Sequence, residues 1–598
     1  MTDRPGIPYA PPLDDIWFAL EEIVDVQGLA KLPSFEHADP AMLEGVLSEA
    51  ARFVAEVLAP LNRVGDEQHS RRNPDGTVST PDGFVDAYQK FVAAGWGSVP
   101  FPEEYGGGGF PWLVATVLSE MFASANLSFA LSSTLTQGAI ELLLAHGSDD
   151  QRETYLPRLV TGEWTGTMNL TEPDAGSDLG AVRTKAIAAG DGTWRVSGQK
   201  IFITYGDHDL AENIIHLVLA RLPGAPPGTR GISCFIVPKF LIGANGNIGE
   251  RNSVACLSLE DKLGLHASPT CTLEFDDAVA YMVGEPNQGM RYMFTMMNNA
   301  RLLVGVQGLA LAERAYQQSV AYARERAQGR APGATAGTSS PIIDHPDVRR
   351  MLMTQKASIE AIRALAYLLA ESMDLAHHDP DPDVRETRGE LVELLTPLTK
   401  SWGTDLGVEL TSLALQVHGG AGFIEETGVA QHARDVRITP IYEGTNGIQA
   451  IDLVARKLPM RGGGVVNDLL DEIHSLDQSL AAAGPELATI REHLATSVST
   501  LRRATQSMIE ADATDALAGA TPYQRLFAVV VGGWLMARQA IAAYARLDSA
   551  PADRRAFLET KLVTARFFCT QLLPQANGLL PAIVAGAADV VALDPDQF

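Results

Sequence analysis

TWRVSGQKIFITYG (Thr193–Gly206), IIHLVLARL (Ile214–Leu222), RGISCFIVPKF (Arg230–Phe240) and PTCTLEFDDAVAYM (Pro269–Met282) decide the fold, because here the chain changes its period. Each run is short, rich in Ile, Val, Phe and Thr, and bounded by Gly, Pro or Asp, the pattern of strands closed by turns. Residues 161–284 therefore read as a compact β-domain, a barrel or a sandwich.

On either side the pattern is helical. Upstream, AMLEGVLSEAARFVAEVLAPLNRV (41–64) and PWLVATVLSEMFASANLSFALSSTLTQGAIELLLAHG (111–147) place apolar residues three and four apart. FPEEYGGGGF (Phe101–Phe110) interrupts them with four consecutive glycines, which no helix interior holds cheaply. Downstream, NNARLLVGVQGLALAERAYQQSVAYARERAQG (298–329) is the clearest long helix, followed by GRAPGATAGTSS (Gly329–Ser340), read as a mobile small-residue loop. A last helical block includes NDLLDEIHSLDQSLAAAG (467–484) and RRAFLETKLVTARFFCTQLL (554–573). The expected fold is a multidomain α+β protein: an N-terminal helical domain (1–160), a middle β-domain (161–284), a C-terminal four-helix bundle (285–460) and an additional helical domain (461–598). No GxGxxG follows a strand, so any dinucleotide is held in some way other than a Rossmann turn.

The 598 residues carry 46 basic and 73 acidic side chains, a formal charge of −27, which argues against nucleic acid or an anionic membrane as partner. Cys234, Cys256, Cys271 and Cys569 form no CxxC pair and no cluster with histidine, so neither a disulfide framework nor a metal site is expected, and a reducing cytoplasm is. MTDRPGIPYAPPLDD lacks the apolar region of a signal peptide. LFAVVVGGWLMA (Leu526–Ala537) is too short to span a bilayer and reads as a buried helix.

The chemistry concentrates in QVHGGAGFIEETGVAQHARDVRITPIYEGTNGIQ (416–449). IYEGT (Ile441–Thr445) sets a carboxylate before a glycine at the mouth of the helix NGIQAIDLVARK. Taken alone, such an acid is an ordinary charge at a helix N-terminus. Together with PEEYGGGG, MNLTEPDAGSD (Met168–Asp178), GQKIFIT (Gly198–Thr204), NNAR (Asn298–Arg301), RERAQG (Arg324–Gly329) and QVHGG (Gln416–Gly420), it resembles the acyl-CoA dehydrogenase family, in order and spacing, over residues 40–460.

Desaturating a thioester requires a base for the α-proton and a cofactor for the β-hydride, since no side chain accepts a hydride. The resemblance implies that the cofactor is FAD and that Glu443 is the base. It also implies that a flavin ribityl hydroxyl and the backbone N–H of Glu443 hold the thioester oxygen, as an oxyanion hole does. The same resemblance assigns Met168, Leu170, Thr171, Ser177, Phe202, Thr204, Arg326, Gln416, Gly419, Gly420 and Thr445 to the flavin. Arg326 is assigned to the pyrophosphate across a subunit boundary. Ser177, Asn298, Arg301 and Gly444 fall to acyl-CoA. Each has an ordinary alternative: a turn for LTEPDAGSD and for the glycine pair, a surface charge for Arg326, a solvated charge for Arg301. His418 reads as structural, and His345 as a weaker flavin-side candidate.

The sequence departs from the family pattern in four places. Phe202 stands where a tryptophan is frequent, RERAQGR lacks a phenylalanine before its glycine, and Asn446 and Gly447 replace a glutamine that touches flavin. Ala300 occupies the position where some relatives carry the base. The block beyond residue 460 resembles the longer members, very-long-chain enzymes and the 3-methylmercaptopropionyl-CoA dehydrogenase group among them. Electron-transfer flavoprotein is the implied acceptor and a homodimer the implied assembly. An acyl-CoA oxidase and a DNA-associated flavoprotein on the same scaffold are the rival readings.

Overall fold

A seven-stranded sheet lies between Trp164 and Val283 of the chain, whose residues 8–243, 246–334 and 337–598 are described here in a computed structural model. Residues 1–7, and Thr335 and Ala336 of the small-residue loop, lie outside the described residues. The chain divides into two compact units: Glu49–Phe110 with Met121–Leu303, and Met1–Ser48 with Pro111–Glu120 and Val304–Phe598.

The first of these units contains the β-domain. The strands of the seven-stranded sheet are β1 (Trp164–Asn169), β2 (Lys185–Ala188), β3 (Trp194–Thr204), β4 (Asn213–Arg221), β5 (Ile232–Pro238), β6 (Val254–Leu259) and β7 (Thr270–Val283). Pairing runs β7–β3–β2–β4–β5 and returns to β7, closing a ring of five strands, with β1 added parallel to β4 and β6 antiparallel to β7. Closure leaves no open edge within that ring. Inward positions such as Val196, Val218, Phe235, Leu273 and Phe275 form one apolar core. β4 is buried along almost its whole length, which explains why IIHLVLARL has no polar alternation. In FPEEYGGGGF, a Cβ at Gly107 would fall 2.0 Å from the Phe101 carbonyl oxygen, so glycine is required there by close approach.

The other unit is helical. Its long elements are α1 (Trp112–His146) and α2 (Gly289–Glu325), both shared with the β-containing unit, then α3 (Pro346–His378), α4 (Pro382–His418), α5 (Asn446–Asp452) and α6 (Ala513–Leu547). α2 starts nine residues before the expected Asn298 and stops at Glu325, where Ala327 pairs with Pro341 instead of continuing the helix. The stretch 41–64 also differs from one uniform helix: it widens to π-type turns at Val54–Leu58, just before Pro60, whose ring nitrogen has no hydrogen to donate. Glycines let α2 and α4 touch backbone to backbone, since a Cβ at Gly308 would lie 2.1 Å from the Gly403 carbonyl oxygen.

The additional C-terminal block is all-helical and joins this bundle's core. α6 is long and apolar enough to cross a membrane by length and composition, but 83% of its most apolar window is buried in the protein. Gly532 of α6 takes the Trp402 ring against its backbone, and Trp402 meets Phe568 edge-on at 6.4 Å. In the same unit Arg363, fully buried, bonds Glu120 at 2.7 Å and Glu313 at 2.9 Å, while Tyr367 donates to Glu120 at 2.6 Å. Such a triad is tolerated in the interior because each charge has its partners.

Candidate active site

The turn around Glu443 begins where Ile441 and Tyr442 donate backbone hydrogen bonds to Ile438, at 2.8 and 3.1 Å. It ends where Asn446 N–H reaches the Pro440 carbonyl at 3.0 Å and Thr445 caps α5 by accepting from Ile448 N–H at 3.3 Å. Between them Glu443 lies at φ +56° and Gly444 at φ +77°. A non-glycine residue in the left-handed region costs about 1–2 kcal/mol, so the surroundings must hold it there. They do so through the Gln449 side-chain amide, which donates to the Glu443 and Gly444 carbonyls at 3.4 and 3.3 Å. A Cβ at 444 would fall 2.8 Å from that amide nitrogen.

Both flanks of the turn are tied to long helices. Tyr442 donates its hydroxyl to Gln307 of α2, and burial together with the adjacent Glu443 pushes that phenol well above its ordinary range. Asn446 accepts from the Lys400 ammonium at 2.8 Å and donates to Asp405 at 2.7 Å, both on α4. Glu443 itself is half-buried.

The flavin-side candidates of the β-containing unit lie on β1, on the loop that follows it and at the end of β3. Leu170 is buried, Met168, Thr171 and Thr204 are half-buried, and Ser177 is exposed on the following loop. Ile201 N–H donates to the Thr171 carbonyl at 3.0 Å, which sets Leu170 and Thr171 beside β3. Here β3 carries one residue more than its partner: Lys200 opposes Leu273 and Ile203 opposes Cys271. The extra residue is a bulge, and Phe202 stands in it at φ +60°, turned outward and 59% exposed.

Two side chains that the sequence did not single out fix this loop. Lys200, fully buried, donates to Glu172 at 2.7 Å and to the Leu170 carbonyl at 3.0 Å. Burial brings its ammonium down to about 8, with Glu172 acting against that shift. Glu172 also accepts from the backbone of Arg183 and Thr184, at 2.7 and 3.1 Å. Arg221 closes the far end of the loop on the carbonyls of Gly180, Val182 and Gly228.

The remaining candidates are individually placed. Asn298 is exposed, whereas Arg301 is buried, so it is not the solvated charge that its helical position suggests by default. Arg326, Gln416, Gly419 and Gly420 are exposed on the helical unit. His418 is structural, buried against Tyr322 with ring centroids 4.4 Å apart. His345 bonds the Gln328 carbonyl at 2.9 Å.

Two observations bear on a flat, phosphorylated cofactor. An aromatic ring is held outward at a cost in backbone strain, beside threonines at a strand end. A Cβ at Gly420 would meet nothing within 4 Å, so the chain's own packing does not demand glycine there, whereas a closely approaching group would. The residues present fit a flavin.

Four family models match in series. They are the acyl-CoA dehydrogenase N-terminal domain (43–163), middle domain (167–278) and C-terminal domain (287–458), then an acetyl-CoA dehydrogenase C-terminal-like domain (469–594). The chain is 45% identical to a 3-methylmercaptopropionyl-CoA dehydrogenase of Ruegeria pomeroyi, across 95% of its own length and 97% of the relative's. The chain belongs to the acyl-CoA dehydrogenase family. This dehydrogenase is also 35% identical to a butyryl-CoA dehydrogenase of Syntrophomonas wolfei, over 99% of both chains. Its fold is similar to that of Caenorhabditis elegans ACDH-11 solved with C11-CoA, with a TM-score of 0.76, 20% identity and coverage of 96% and 93%. The extra C-terminal block is thus part of the family architecture of these long relatives.

Proposed function

We propose that this dehydrogenase removes the α-proton of an acyl-CoA thioester with Glu443 and so desaturates the Cα–Cβ bond. The observation that carries the reading is the turn itself: one carboxylate held in a strained conformation and secured on both flanks. When bound, FAD supplies the acceptor for the β-hydride. Glu443 holds the proton at its carboxylate, and its backbone N–H donates to the thioester oxygen, stabilising negative charge as it develops. As the acyl group displaces water, the carboxylate's proton affinity rises toward what a base needs near neutrality.

Thr171, Phe202 and Thr204 would hold the flavin ring, Arg326 its pyrophosphate, and Gln416, Gly419 and Gly420 its adenine end. A homodimer is the proposed assembly, electron-transfer flavoprotein the proposed acceptor, and the cytosol the proposed compartment, in keeping with four free, buried thiols. The names of the relatives point to short unbranched acyl groups as the first substrates to try. In steady state, Glu443→Gln lowers kcat by about 10²–10⁴ with little change in KM. Turnover near the parental rate would remove the assignment.

A further inference from the structure

Asn446 stands three residues after Glu443 and does two jobs at once. Its backbone N–H closes the turn on Pro440 at 3.0 Å, and its side-chain amide bridges to α4. Its oxygen accepts from Lys400, and its nitrogen donates to Asp405 and to the Thr404 hydroxyl, at 2.7 and 3.0 Å. Lys400 is fully buried, so its ammonium cannot turn to water if this acceptor is lost. An amide is the one side chain of this size that answers a cation with its oxygen and a carboxylate with its nitrogen. The turn between Pro440 and Asn446 therefore inherits its orientation from α4, and α4 is itself locked to α2 by the glycine contact.

We propose that Asn446, supported by Lys400 and Asp405, is a positioning residue that aims the Glu443 carboxylate and backbone N–H at the substrate. This rests on Glu443 being the base. Catalytic groups tolerate little displacement: a shift of about 1 Å can cost about 10²-fold in rate. The bland alternative is a residue that merely stabilises the first turn of α5.

The test uses FAD-loaded enzyme with butyryl-CoA and 3-methylmercaptopropionyl-CoA, an artificial electron acceptor, and amide hydrogen exchange over residues 441–447. Asn446→Ala is expected to lower kcat by about 10–10²-fold while KM stays within about threefold, and to speed exchange in the turn. Asn446→Asp faces two carboxylates at each other and loses activity too. Combining it with Asp405→Asn exchanges the donor and the acceptor, keeps an acceptor for Lys400, and is expected to recover most of kcat. A kcat for Asn446→Ala within about twofold of the parent overturns the proposal. So does an exchange that restores the melting temperature but not kcat. Glu443→Gln, run in parallel, separates the two ideas: if it retains turnover the base assignment fails. If it is inactive while Asn446→Ala behaves as the parent, only the positioning role fails.

Discussion

Glu443 and Phe202 share an unfavourable backbone conformation, at φ +56° and +60°, yet the chain holds them by different means. The Glu443 turn is fixed by its backbone and by the side chains of its neighbours, Tyr442 and Asn446, each bonded to a long helix. Phe202 is set by a bulge whose base is a buried ion pair, Lys200 with Glu172, and whose loop is closed by Arg221. The loop beside Phe202 is thus held by a direct buried ion pair, Lys200 with Glu172. The Glu443 turn is steadied through its flanks instead, where the Asn446 amide stands between Lys400 and Asp405.

Breaking the ion pair is expected to have the largest effect. Lys200→Met leaves the Glu172 carboxylate buried without its cation, which costs about 3–5 kcal/mol. Thermal unfolding should shift down and FAD should be lost. Combining it with Glu172→Leu should recover most of the stability, because well-packed apolar residues often replace a buried pair at little cost. If the double variant is as unstable as the single one, the loop is held by something else.

A smaller effect is expected at Glu141 of α1, where burial pushes the carboxyl up to about 8 and a hydrogen bond with Asn299 acts against that shift. The folded chain holds that proton more tightly than the unfolded one. Its stabilising contribution is therefore full below 4.5 and is lost as pH rises through about 8. Glu141→Gln should flatten the melting temperature across that window, with the gain at the alkaline end. An unchanged pH profile would contradict the account of this buried acid.

Phe202→Gly should change stability least. Glycine relieves about 1–2 kcal/mol of left-handed strain and gives back part of it in chain entropy, while a side chain 59% exposed loses little burial. FAD affinity should fall nonetheless. Retained affinity would mean that the ring is not a flavin contact.

The switch from helical to strand period marked the β-domain because its strands end in glycine, proline and aspartate, and LFAVVVGGWLMA read as buried because twelve apolar residues have nowhere else to go. The Lys200–Glu172 pair was not legible: its members lie 28 positions apart, and nothing local says that the lysine of GQKIFIT is buried. The bulge at Phe202 depends on register with β7, which one strand's sequence does not encode. Asn446 stood out only as a departure from the family pattern. Its use became visible once α4 brought Lys400 and Asp405 against it. Arg301, assigned to acyl-CoA by the resemblance and a solvated charge only by default, is buried, which charge alone does not reveal.

The central claim is that Glu443 removes the α-proton, and rapid anaerobic mixing of the Glu443→Gln holoenzyme with butyryl-CoA tests it most directly. The proposed flavin contacts lie on other residues, so the variant should purify yellow and bind the thioester. With no proton acceptor, its oxidised flavin band should persist long after the parent has bleached, slowed by about 10²–10⁴-fold. Bleaching at a rate close to the parent's would contradict the assignment and move the search to another carboxylate.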